Sequence, residues 1–70
     1  MRALVSRIIE ELEMTGHCAV YETELECFWP LSERNREDKI RKFSEENGFR
    51  LRFYKEGLCA IFDKEPVGGP

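Results

Sequence analysis

The sequence predicts an α+β domain in which two helices pack on one face of a three-stranded antiparallel sheet. Three observations carry this expectation: an apolar stripe at helical spacing near the N-terminus, a stretch of alternating character at the centre, and two strand-like stretches separated by Lys55, Glu56 and Gly57. Residues 1–64 form the expected domain. Residues 65–70, with two Pro and two Gly, are expected to be a disordered tail.

Leu4, Val5, Ile8, Ile9 and Leu12 share one helical face, which predicts an amphipathic helix over residues 2–14, stopped at Thr15 and Gly16. The segment 18–29 reads two ways. As a strand it places Tyr21, Thr23, Leu25, Cys27 and Trp29 on one face and Glu22, Glu24 and Glu26 on the other. As a helix it aligns Tyr21, Leu25 and Phe28. The strand is preferred because the alternation is the longer pattern, and Pro30 ends either element.

Ser32 is the expected N-cap of a second helix running to Asn47, with Gly48 as its stop. Ile40 and Phe43 are its inner residues, and Arg36 lies one turn before Ile40 on the same side. Pairs spaced i,i+4, such as Arg34 with Asp38 and Arg41 with Glu45, would lace its outer face. Strands over Phe49–Tyr54 and Leu58–Asp63 then close the fold as a hairpin. In the first, Phe49, Leu51 and Phe53 face the helices and Arg50, Arg52 and Tyr54 face outward. The second is apolar on both sides, which predicts a central or covered position.

Size and composition narrow the functional classes. Seventy residues bury only about 60% of the surface the unfolded chain exposes, so a deep, water-free active site is not expected, and the chain reads as a non-catalytic module. With 41% hydrophobic residues the chain can pack despite being 36% charged. No apolar run approaches the roughly 20 residues that span a bilayer, and no signal-peptide stretch opens the chain. A cytoplasmic location without membrane contact is expected.

Cys18, Cys27 and Cys59 are odd in number and show no paired spacing, against a disulfide framework or a zinc site. His17 and Cys18 are adjacent, so in a strand they point to opposite faces rather than forming a nucleophile and its base. Glu22, Glu24 and Glu26 lack any associated His or Gly-rich loop and read as a solvent-facing strand side. No cofactor or metal is expected.

The net charge of -3 hides a division along the chain. Residues 10–33 hold seven Glu and no Lys or Arg, whereas residues 34–55 hold eight Lys or Arg against four acids. A polyanion meets the local field, so an acidic chain can carry a basic surface. The outer hairpin face, with Arg50, Arg52 and Tyr54 beside Phe62, combines cations with aromatic rings, the ingredients that hold single-stranded nucleic acid.

The order helix, strand, helix, strand, strand resembles the small single-stranded nucleic-acid-binding family named for an Arg-x-x-x-His motif. The resemblance rests on Pro30, Leu31, Ser32 and Arg36, and it implies a nucleic-acid contact for Arg36. The family's His position is occupied by Ile40. With residues 21–29 helical, the chain is instead similar in element order to a winged helix, whose third helix would enter a DNA groove. The expected function is therefore a nucleic-acid-binding module that prefers single-stranded DNA or RNA, through Arg36, Arg50, Arg52, Tyr54 and Phe62. The alternative is a protein-interaction or homodimer module that covers the apolar last strand.

Overall fold

Leu4, Ile8 and Leu12 recur every four residues, and in the computed structural model, which describes residues 2–64, they form the buried stripe of helix α1 (Arg2–Thr15). The helix stops at Gly16, whose amide donates to the Leu12 carbonyl. Strand β1 (His17–Tyr21) follows, then helix α2 (Glu22–Phe28), helix α3 (Arg36–Glu46), and strands β2 (Phe49–Lys55) and β3 (Cys59–Lys64). The class is α+β with a three-stranded antiparallel sheet in the order β1-β3-β2. β3 is the central strand, one of the two positions that its apolar character on both sides predicted. The tail expected over residues 65–70 lies outside the described residues.

The long strand expected over residues 18–29 is corrected: it ends at Tyr21, and seven of those residues form α2, so three helices rather than two cover the sheet. Burial explains the switch. Leu25 and Trp29, four apart, both reach the core, whereas Thr23 and Cys27, which a strand would have placed on the same face as Leu25, are exposed. The Glu22 amide still donates to the Leu58 carbonyl, marking where the ladder ends and the helix begins.

Ser32 is not the N-cap of the following helix. The chain turns after Pro30, with the Glu33 amide donating to the Pro30 carbonyl, and α3 starts only at Arg36 behind Asn35. Asn35 has φ 55°, a left-handed conformation that its short polar side chain tolerates. At the other end Gly48 takes φ +84°, where a side chain would be strained, and leads the chain directly into β2.

All three helices lie on one face of the sheet. Cys18, Val20, Phe49, Leu51, Ala60 and Phe62 point toward them and join Ile8, Leu25, Ile40 and Phe43 in a single core. Its centre is aromatic: the rings of Trp29 and Phe43, Phe43 and Phe49, and Phe49 and Phe62 meet edge to face at 5.1, 5.7 and 5.4 Å between centroids. Such pairs contribute about 0.5–1.5 kcal/mol each beyond the area they bury. Among the described residues no helix is long and apolar enough to cross a membrane.

Candidate functional site

Among the described residues no helix lies on the opposite face of the sheet, and the composition of that face is set by one irregularity. Leu51 pairs with Phe62 and Phe53 with Ile61, so Arg52 is an extra residue with no partner on β3. This β-bulge reverses the inward and outward parity of the rest of β2. Arg52 and Phe53 both project outward, and Tyr54, opposite the inward Ala60, turns toward the helices.

The outer face is therefore three rows deep. His17, Asp63 and Arg50 form the first, Ala19, Ile61 and Phe53 the second, and Tyr21, Cys59 and Lys55 the third. Tyr21 is 61% exposed and Phe53 38%, with Leu58 at the hairpin tip 51% exposed. Arg50 and Arg52 stand on the Asp63 side of the apolar second row. Arg50 grips Asp63 with two bonds of 2.9 Å, and an Arg52 Nη1 lies 3.9 Å from the same carboxylate.

Of the five residues expected at the site, the hairpin face brings together only Arg50 and Arg52. Phe62 is fully buried at 0% exposure, because its partner Leu51 lies before the bulge and points inward with it. Tyr54 is half-buried against the core. In their place stand Phe53, displaced outward by the bulge, and Tyr21, which ends β1. The sequence signal for Tyr21 was its position in the alternating run. Phe53 had none, since regular alternation directs it inward.

Arg36 is corrected most sharply. It is 2% exposed, and its guanidinium is committed to other parts of the chain. Nε donates to the Trp29 carbonyl at 2.8 Å, Nη1 to Glu22 Oε1 at 2.8 Å and to the Tyr54 hydroxyl at 3.0 Å, and Nη2 to Glu22 Oε2 at 2.6 Å. Glu22 Oε1 also accepts the Gly57 amide of the hairpin turn, at 3.2 Å. Arg36 thus joins both ends of α2, the start of α3, and the hairpin, and a phosphate cannot reach it.

The three glutamates do not share a face. Glu22 holds Arg36, Glu24 pairs with Arg7 of α1 at 2.7 Å, and Glu26 is exposed. Among the described residues no group of His, Cys, Asp or Glu could hold a metal ion. Cys18 and His17 do point to opposite faces. Burial, together with Glu11, pushes the Cys18 thiol up to about 12, the reverse of what a nucleophile requires.

Hydrogen bonds from Arg36 hold the Glu22 carboxyl below its ordinary value, and those from Arg50 do the same for Asp63, in each case against the opposing effect of burial. Each acid is stronger in the folded chain than in the unfolded one. Its contribution is therefore complete above the unfolded value and is lost as pH falls through the folded one. Urea titrations should show stability declining below about pH 4, the ordinary carboxylate range. Glu22→Gln should be less stable at pH 7 but lose less between pH 5 and 3. An equal loss in both proteins would remove Glu22 from the acid transition.

Comparisons of the chain with protein-family models, with curated proteins and with solved structures returned no match.

Proposed function

We propose that this domain is a non-catalytic, cytoplasmic module that binds single-stranded nucleic acid across the open face of its sheet. The observation that carries the reading is the bulge in β2, which sets Arg52 and Phe53 side by side on the same face as Tyr21, Arg50 and Lys55. Exposed rings offer stacking surfaces to unpaired bases at about 1–3 kcal/mol each, and the cations follow the phosphates. Paired bases cannot stack in this way, which favours single strands.

The groove-reading alternative is weaker here. A recognition helix needs net positive charge, yet around the outer side of α3 the cations Arg34, Lys39, Arg41 and Lys42 meet five acids, Glu33, Glu37, Asp38, Glu45 and Glu46, so four against five leaves -1. Lys39 is bonded to Glu33, and Arg41 to both Glu37 and Asp38. A self-association reading finds support in the apolar row of Ala19, Ile61 and Phe53, but a second copy would bring like cations close to one another.

Fluorescence anisotropy with labelled single-stranded and duplex oligonucleotides tests the reading. Single strands should bind more tightly than duplex, and more tightly as salt is lowered. Phe53→Ala should weaken binding about tenfold, within the range expected for one lost stacking platform. Arg52→Glu should abolish it. No binding to any oligonucleotide at low salt, or an unchanged affinity in the Arg52 variant, would refute the assignment, and a dimeric mass by light scattering would favour self-association.

A further inference from the structure

The face that would meet phosphates already contains an anion. Asp63 stands on the central strand between Arg50 of β2 and His17 of β1, and its side chain is only 10% exposed although it lies on the open side of the sheet. Arg50 donates Nε to Oδ1 and Nη2 to Oδ2, a two-pronged grip, and Arg52 approaches the same Oδ2. Arginine uses this planar fork for phosphate as readily as for carboxylate. A phosphate approaching the two arginines must therefore displace Asp63 or share its donors with it.

The consequence for selectivity follows from the arrangement of the rows. Arg50 and Asp63 occupy the first row, whereas Phe53 and Tyr21 lie in the second and third. A ligand that offers only negative charge gains little from cations already engaged with a fixed carboxylate. A ligand that also places bases on Phe53 and Tyr21 recovers the difference through stacking. Resting on the single-strand reading, we infer that Asp63 is a built-in competitor for the phosphate position, a specificity-determining residue that makes the face accept strands with unstacked bases and reject base-free polyanions.

A purely structural Asp63 would affect stability and leave selectivity unchanged. The two roles separate in Asp63→Asn, which keeps the side-chain shape and an oxygen for Arg50 while removing the charge. Affinity should be measured for a labelled single-stranded oligonucleotide and, by competition, for inorganic polyphosphate, with circular dichroism confirming the fold. The parent chain should bind the oligonucleotide and be displaced poorly by polyphosphate. The variant should bind the oligonucleotide about threefold more tightly, a gain on the scale of one charge pair at the protein surface. Polyphosphate should become an effective competitor, and the slope of log affinity against log salt should steepen by about 0.7, one further phosphate on a single strand. Should Asn prevent folding, Asp63→Ser removes the same charge with less bulk and is read by the same three criteria. If the parent binds the oligonucleotide and the folded variant shows no gain for either ligand, the competitor role is overturned while the single-strand reading stands. If neither protein binds at low salt, both fall together.

Discussion

Arg36→Met should lower the stability of the domain by about 3–5 kcal/mol, the cost of breaking a buried ion pair by removing one partner. The loss is large because one side chain makes four hydrogen bonds to three groups. Among the described residues Glu22 would then keep only the Gly57 amide, the Trp29 carbonyl would lose its donor, and the Tyr54 hydroxyl would face an apolar side chain. A domain with a stability near the lower end of the usual range, about 5 kcal/mol, would keep only about 0–2 kcal/mol after such a change, so that between a few per cent and about half of the molecules would be unfolded. Urea denaturation at pH 7 reads the effect as a shift in midpoint. The double replacement of Arg36 by Met and Glu22 by Leu should recover a substantial part of the loss, because the stranded carboxylate is removed as well. A single variant as stable as the parent would show that the hub does not hold the helices to the hairpin.

The second large effect separates two phenylalanines nine residues apart. Phe62→Ala should cost about 3–5 kcal/mol, since its ring is wholly enclosed and meets Phe43 and Phe49 edge to face at 6.1 and 5.4 Å. Phe53→Ala removes a ring that does not belong to the core and should cost less than about 1 kcal/mol. Thermal unfolding of the pair gives the test. Equal losses would mean that the parity reversal at Arg52 does not occur in solution and that Phe53 is enclosed after all.

The same two residues show where the sequence was legible. The stripe of Leu4, Ile8 and Leu12, the stop at Gly16, and the paired strands around Gly57 each follow from one local rule, so the helix and hairpin could be placed directly. Residues 18–29 obeyed two rules at once, because Leu25 and Trp29 fit both a period of two and a helical repeat. The chain satisfies both by using the first as a strand and the remainder as a helix. The burial of Arg36 was partly visible in its alignment with Ile40, but its partner Glu22 lies fourteen residues away, beyond any local periodicity. The bulge left no trace in Phe49–Phe53, where apolar and basic residues alternate; the alternation breaks only beyond Arg52, where Phe53 and Tyr54 adjoin. Parity counting through it therefore turned Tyr54 outward and Phe53 inward, the reverse of their positions.

The extra residue at Arg52 also bears on how the chain behaves when crowded. Strand β2 forms one margin of the sheet, where unpaired amides and carbonyls could recruit a strand from another molecule. An interruption in the middle of that margin, carrying a charged side chain, spoils the straight hydrogen-bonding template on which fibrils and runaway pairing depend. A chain that exposes rings on its open face can in this way stay dispersed at high concentration.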